Sequence, residues 1–414
     1  MKILFVVQNY YPSVGGTQTL FQNIAERFAN DYHDKVDVFT INSYYSPHHE
    51  IYKKINTSCE QINGVNIHRF PFIRLHLTLF RWLSMLSKKV FKKDIPFVNE
   101  YIMGPVSRQL KQAIANTNAD VIIASSSVYT YMNYPLWRKK TNNPKPFIFH
   151  GAIHFTSNKK QEYLPQKLIS SIKASDCYVA NTVYEKQRLV ALGVRSENIA
   201  VIDIGIDVNK YRNINANSFR QQYKINSDDI IVTYIGRIEP IKGIDVLIAA
   251  VKLALQQQNK ITLVIAGYES NYAEKLKKII DQMNALHHRV ILLTSVTEDH
   301  KYELLTASDM LVLPSVNESF GIVFLEAWVC KKPVIGINIG AISSVVKDGV
   351  DGLLAKPLDA NDLAEKILLL ANDVPLRISM GEKGYNKVIA NYSWKKIIET
   401  YRDVCLKAIK NFPV

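Results

Sequence analysis

The chain reads as an α/β protein with two doubly wound, Rossmann-like parallel-sheet domains, and three observations predict it. Short apolar runs followed by helical stretches recur along both halves; Lys2–Gln8, Ile230–Ile235 and Met310–Leu313 are the clearest. Polar or glycine-bearing loops stand after these runs, where open parallel sheets bind ligands. The 414 residues suit two units, each of roughly 200 residues and able to bury its own core.

Composition narrows the class. Hydrophobic residues make up 47% and charged residues 21%, ordinary values for a globular protein. The four cysteines (Cys59, Cys177, Cys330, Cys405) are scattered without a CxxC pair, which argues against disulfides and zinc and fits a reducing cytosol. The apolar start Ile3–Val7 is too short for a signal segment. No run of about 18 uncharged apolar residues predicts a membrane span. Charge is uneven: residues 1–200 hold 25 Lys and Arg against 13 Asp and Glu, a net of +12. Residues 201–414 hold 26 against 24, a net of +2. The first half therefore expects an anionic partner.

Taken in order, Lys2–Gln8 is a buried strand that opens into Asn9–Thr17 and then a helix bearing Leu20, Ile24 and Phe28. Gly15 and Gly16 between strand and helix let backbone approach a ligand, although the G-x-G-x-x-G dinucleotide pattern is absent. Val36–Ile41 and Val65–Phe70 continue as strands. Residues 71–93 predict a basic amphipathic helix, with Phe72, Leu75, Leu79, Leu83, Leu86 and Val90 on one face. Arg74, Thr78, Arg81, Lys88 and Lys92 lie opposite, Lys89 and Lys93 add charge, and Trp82, Phe80 and Phe91 suit an anionic membrane surface. The alternative is a helix packed on its own domain. Nucleic acid is not expected as a partner, because no recognisable module for it is present.

Asp120–Ser125 and Pro146–Phe149 read as further strands, and His150-Gly151 sits at the carboxyl end of the second, with His154 beyond. Such a place is a cleft wall in an open sheet, so a histidine there is a candidate ligand contact. Cys177–Asn181 and Ile199–Ile202 close the first sheet, giving a first domain over 1–207. The polar stretch Asn209–Asn226 holds the link to a second domain over 208–392. Its first strand, Ile230–Ile235, is followed by Gly236-Arg237-Ile238-Glu239-Pro240-Ile241-Lys242-Gly243. Two cations in a glycine-bounded loop at a strand's end make a diphosphate clamp. Ile261–Gly267 and Val290–Leu293 follow as strands, the latter leading into Thr294-Ser295-Val296.

The most informative stretch is Leu311–Leu358. An apolar run stops at Pro314, a polar loop follows, a helix is expected from near Ser319, and Val334–Ile337 is the next strand. Glu318 stands at the mouth of that helix and Glu326 about two turns along on nearly the same face. Between them the amides of Ser319, Phe320, Gly321 and Ile322 face the positive end of the helix dipole. Amides suit a phosphate and carboxylates suit sugar hydroxyls. A ligand with hydroxyls at both ends and phosphate between them is a nucleotide sugar.

The pattern Glu318-SFGIVFL-Glu326, with its flanking Pro-Ser, Lys-Pro-Val-Ile and Asp-Gly-x-x-Gly-Leu-Leu, resembles the signature of the group 1 (family 4) retaining glycosyltransferases, which have the GT-B fold. The Gly-Arg and Lys-Gly pair upstream is also similar. The resemblance implies two Rossmann-like domains facing a cleft, with 393–414 forming a helix that returns to the first. It implies that Gly15 and Gly16 face donor diphosphate and acceptor, Arg237 and Lys242 hold the leaving diphosphate, and Glu318 orients the transferred sugar. Glu326 would hold the ribose, Val296 would touch the base, and His150, favoured over His154, would contact donor or acceptor. Departures are Ile204 where Asn is usual, Tyr268-Glu269 in place of a second glycine, and Ala341, Ser343 and Ser344 in place of Gly, Pro and Glu.

The expected activity is hexosyl transfer from a UDP- or GDP-linked sugar to a glycan or lipid-linked saccharide, in cell-surface polysaccharide or glycolipid assembly. The place is the cytoplasm or, peripherally, the inner face of the cell membrane. No two acids are separated by one residue, so the D-x-D metal motif is absent and neither metal nor other cofactor is expected. Alternatives are a sugar-nucleotide epimerase or a phosphorylase of the same fold, or a non-catalytic membrane-associated scaffold.

Overall fold

In β1 (Lys2–Val7) every residue after Lys2 is buried, as required of a parallel strand covered on both faces by helices. The chain is described from a computed structural model over residues 1–13, 15–44, 53–73, 77–91, 98, 104–125, 130–151, 153, 166–212, 214–267, 271–282 and 288–413. With β2 (Lys35–Ile41), β3 (Cys59–Ile62), β4 (Val65–Phe70), β5 (Val121–Ser125), β6 (Phe147–His150), β7 (Cys177–Ala180) and β8 (Ile199–Val201), β1 forms an eight-stranded sheet in the order β3-β4-β2-β1-β5-β6-β7-β8. Its pairs are parallel except β3 with β4. That hairpin turns at Asn63-Gly64, both at positive φ, the residue pair that suits a two-residue hairpin loop. It was not expected from the sequence.

The second sheet is parallel throughout, in the order β11-β10-β9-β12-β13-β14. Its strands are β9 (Ile230–Ile235), β10 (Ile261–Ala266), β11 (Val290–Leu293), β12 (Met310–Val312), β13 (Val334–Ile337) and β14 (Gly352–Ala355). In both sheets the order reverses beside the first strand, at β1/β5 and at β9/β12. Loops leaving such a point open a crevice outside the carboxyl ends of the strands.

The last helix, Trp394–Asn411, is capped by Ser393 and returns to the first sheet. Tyr401 is fully buried against Phe28, Arg402 reaches Asp34 at 3.2 Å, and the Arg27 guanidinium stacks 4.6 Å above the Trp394 ring. Gly205 is required here. A methyl group on its Cα would stand 2.5 Å from the Trp394 ring, so the Ile204–Asp207 junction can pass beneath the indole only without a side chain.

The basic amphipathic stretch differs from expectation. Its helix spans Leu77–Phe91, and Ile73 before it instead bridges to Val106. The outward face carries Trp82, Met85, Leu86 and Val90, while Ser87 is buried and Leu83 half-buried. Leu86 and Val90 therefore lie on the exposed side, not on an inward stripe. Lys89 is exposed among them. Arg74, Lys92 and Lys93 lie outside the described residues, as do the side chains of Arg81 and Lys88.

Candidate active site

β9 and β12 pair side by side, Met310 against Val232 and Leu311 against Thr233, so the loops that follow them are neighbours. Gly243, at φ +69, ends the first loop. A Cβ there would lie 2.5 Å from the Pro314 carbonyl oxygen of the second, so glycine is what lets the loops close on each other. The Tyr234 hydroxyl donates to the Arg237 carbonyl at 2.8 Å and pins the first loop to its own strand. Lys242 closes the short turn Pro240–Lys242, and its Nζ lies 2.5 Å from Glu318 Oε1. Both side chains are largely buried, at 9% and 14% exposure. An ammonium carries three donors, so Lys242 retains two for a further ligand.

Arg237 is on the same loop, but its guanidinium is 62% exposed and donates to Glu239 at 2.8 Å. Such an exposed pair holds weakly and can be exchanged for a phosphate.

The helix after Glu318 spans Ile322–Val329, starting three residues later than the sequence suggests, because Gly321 takes φ +85 and serves as N-cap. Ser319 is half-buried, and Phe320 sends its ring into the core against Tyr392, leaving its backbone as the part available to a ligand. Ile322 and Val323 supply first-turn amides, the groups of a helix start that lack partners one turn back, whereas the Phe324 amide already donates to the Gly321 carbonyl at 2.9 Å. From the other half of the chain, Gly16 comes to the same point: a Cβ on it would stand 3.6 Å from Ile322 Cδ1. Gly15 precedes it as the N-cap of the Gly16–Tyr32 helix. Gly16 and Ile322, 306 residues apart in sequence (322 − 16), thus share one place.

Glu326 lies further along the helix, as exposed as Glu318 at 14%, and its partners come from elements that the sequence did not single out. Lys301, on the Glu298–Ala307 helix, places Nζ 2.8 Å from Glu326 Oε1 and 3.0 Å from Glu298 Oε2. The Tyr302 hydroxyl donates to Glu298 at 2.9 Å, and the Tyr211 ring packs 4.6 Å from Tyr302 with its hydroxyl toward Glu326. Burial disfavours the Lys301 ammonium, but Glu326 and Glu298 outweigh it and hold its pKa above the usual lysine range. Burial likewise opposes ionisation of Glu298, and Lys301 and Tyr302 overcome it, so its pKa is lowered. One signal was legible in advance. A lysine near the start of a helix runs against the helix dipole, which marks a site where a carboxylate faces it. Val296 is half-buried just before the N-cap Thr297 of the same helix.

His150 corrects the expectation of a cleft-wall ligand. The ring is buried, with Nδ1 2.7 Å from the Tyr401 hydroxyl and Nε2 3.1 Å from Asn181 Oδ1. Phe21 packs edge-on at 4.9 Å. With both nitrogens engaged inside the protein, His150 joins the last helix to the first sheet. His154 lies outside the described residues. Burial lowers the His150 pKa to about 4, against the pull of Asn181. A folded-state pKa below the unfolded one means the unfolded chain binds the extra proton first, so stability falls as pH drops from about 6.5 toward 4. Urea unfolding should show a loss of about 2 kcal/mol between pH 7.5 and pH 5 that H150Q lacks.

Among the described residues no cluster of His, Cys, Asp and Glu is arranged to hold a metal ion, and no helix is long and apolar enough to cross a membrane.

Comparison with known proteins agrees along both halves. A model of group 1 glycosyl transferases matches residues 215–387, and one of family 4 glycosyltransferases matches residues 90–210. An uncharacterized glycosyltransferase of Methanocaldococcus jannaschii is 25% identical over 412 residues, 96% of each chain. A lipopolysaccharide 1,2-N-acetylglucosaminetransferase of Salmonella typhimurium is 26% identical over 359 residues, 85% of each chain. Among solved structures, Anabaena HepE in complex with UDP superposes with a TM-score of 0.75 at 20% identity, covering 98% of this chain and 100% of that one. Sucrose-phosphate synthase from Thermosynechococcus elongatus gives 0.74 at 19%, with both chains fully covered. The chain belongs to the group 1 glycosyltransferases and has their GT-B fold.

Proposed function

We propose that the chain is a retaining glycosyltransferase that moves a hexose-type sugar from a nucleotide diphosphate sugar to a glycan or lipid-linked acceptor, in cell-surface polysaccharide or glycolipid assembly. The observation that carries this reading is the Lys242–Glu318 contact at the head of the Ile322–Val329 helix, with Glu326 about two turns along. One cation and a row of amides lie between two carboxylates, the order of charges that a nucleotide, a diphosphate and a sugar present. Lys242, Arg237 and the amides stabilise charge on the departing diphosphate, the kind of interaction that contributes most in such transfers. Glu318 holds hydroxyls of the sugar and Glu326 those of the ribose. Retention follows from same-face attack, with the leaving phosphate taking the acceptor proton. The UDP and UDP-glucose complexes of Anabaena HepE favour a uridine nucleotide over a guanosine one.

A screen of UDP- and GDP-sugars by thermal shift tests the donor. A true donor at 100 times its Kd adds about 2.7 kcal/mol to folding stability. Failure of every UDP- and GDP-sugar to shift unfolding would sink the reading. With the donor in hand, turnover is expected to be unchanged in EDTA; loss that manganese restores would refute metal independence. Epimer formation from donor alone would point to the epimerase alternative.

The acceptor side of the proposal is a lipid-linked saccharide at an anionic membrane. It is supported by the +12 charge of residues 1–200 and by the exposed face of Trp82 and Met85, at 54% and 63%, with Leu86, Val90 and Lys89. Vesicles containing phosphatidylglycerol should sediment the wild-type chain. W82E/M85E should bind them at least about tenfold more weakly, given the transfer energy of two such side chains. Equal sedimentation of both proteins would remove the membrane from the proposal.

A further inference from the structure

The carboxylate assigned to the ribose already has a resident cation. Lys301 stands between Glu298 and Glu326, 15% exposed, and Glu326 is 14% exposed. The Glu298 end is open at 63%, so the group is wet on one side and closed on the other. Cations suit a nucleotide's phosphates, yet the nearest acid here is the ribose one, and the cation assigned to phosphate is Lys242 on another loop. Lys301 therefore has an office of its own.

We infer that Lys301 is the positioning residue for nucleoside recognition: it fixes one oxygen of Glu326, so that the carboxylate's remaining lone pairs accept a 2′,3′-diol. This rests on the donor reading above. The physical argument runs through what else faces Glu326. Tyr211 comes from the Val208–Tyr211 turn, Tyr302 from the helix of Lys301, and Cys330 from the end of the carboxylate's own helix. None of the three is a cation. Tyr211 and Tyr302 are held neutral far above the working range, and burial raises Cys330 to about 11. Lys301 thus supplies the counter-charge that these three neighbours lack. Without it, a largely buried carboxylate loses the contact that sets its direction. A carboxylate accepts both hydroxyls of a diol only when it faces them, and the lysine sets that direction. The Tyr302 hydroxyl holds Glu298, and Glu298 in turn holds the ammonium from the open side.

The test is calorimetric binding of UDP and 2′-deoxy-UDP to the full chain at one pH, with GDP and 2′-deoxy-GDP used if UDP does not bind. Wild type should prefer the ribonucleotide. K301M should bind UDP at least about tenfold more weakly and lose most of the 2′-hydroxyl preference. K301R should restore both properties. If K301M does not fold, K301Q gives the same reading. A K301M chain that is folded and keeps wild-type affinity and 2′-hydroxyl preference overturns the assignment alone. Wild type that binds neither UDP nor GDP overturns the donor reading and this assignment with it.

Discussion

K242M is expected to lower turnover by about 10²–10³-fold while leaving the chain folded, the range that follows removal of one preorganised donor from a developing oxyanion. Methionine keeps the length and apolar stem of the lysine and removes only the ammonium that stands 2.5 Å from Glu318. Two consequences must be separated. The chemical one is loss of a positive charge beside the departing diphosphate. The structural one is a largely buried Glu318 left without its partner, which is costly in itself. A double-mutant cycle divides them. In K242M/E318Q the unpaired charge is gone, so the unfolding midpoint should return toward wild type, while turnover stays low. Recovery of turnover together with stability would mean that the lysine only neutralises Glu318, and the clamp reading would fail. The donor KM should move less than kcat, because a charge that grows on the leaving group is met most strongly in the transition state.

The reach of the sequence can be traced residue by residue. Lys242, Glu318 and the helix start were legible because each lies in a short loop just after a strand, and the sheet order turns that placement into proximity. Both sheets reverse beside their first strand, so loops separated by about 75 residues become neighbours without any further information. Boundaries were less legible. The helix begins at Ile322 because Gly321 adopts a left-handed conformation, and a glycine alone does not announce which φ it takes.

What failed was whatever depends on a distant element. His150 has the position of a cleft residue, yet Tyr401, 251 residues later, supplies its hydrogen bond and closes it into the core. The same is true of Glu326, whose partner Lys301 arrives from the preceding helix. In the Leu77–Phe91 helix, periodicity puts Leu83, Leu86 and Val90 on one stripe, yet Leu86 and Val90 turn outward beside Trp82 while Leu83 is half-buried. Periodicity does not say which side turns inward when apolar residues occur on both, and the buried Ser87 decides against the expected stripe.

The largest stability effect is expected at Gly384, away from any ligand. The Val374–Asn391 helix crosses the Ile322–Val329 helix through Gly381 and Gly384, both buried. A Cβ at Gly384 would stand 2.0 Å from Trp328 Cδ1, and one at Gly381 would stand 2.0 Å from the Lys331 carbonyl oxygen. Neither neighbour has room to yield. Trp328 is fully buried, its Nε1 donates to the Asp351 carbonyl at 2.8 Å, and the Lys387 ammonium sits 4.6 Å over its ring. Gly384→Ala must therefore push the two helices apart or expel the indole from its seat. Overpacking of this kind costs about 3 kcal/mol, and urea unfolding should report it as a lower midpoint with an unchanged slope. The helix displaced is the one that carries Glu326 and, at its head, the amides beside Glu318. Donor affinity should consequently fall along with stability, although the added methyl group meets only the Trp328 indole. G384A/W328L offers the decisive comparison, since shrinking the indole makes space for the methyl group. The double mutant should lose less than the two single mutants together, as coupled neighbours do. A G384A chain with the wild-type midpoint and donor affinity would show that the helices are free to separate, and that the acids are not held in place by this crossing.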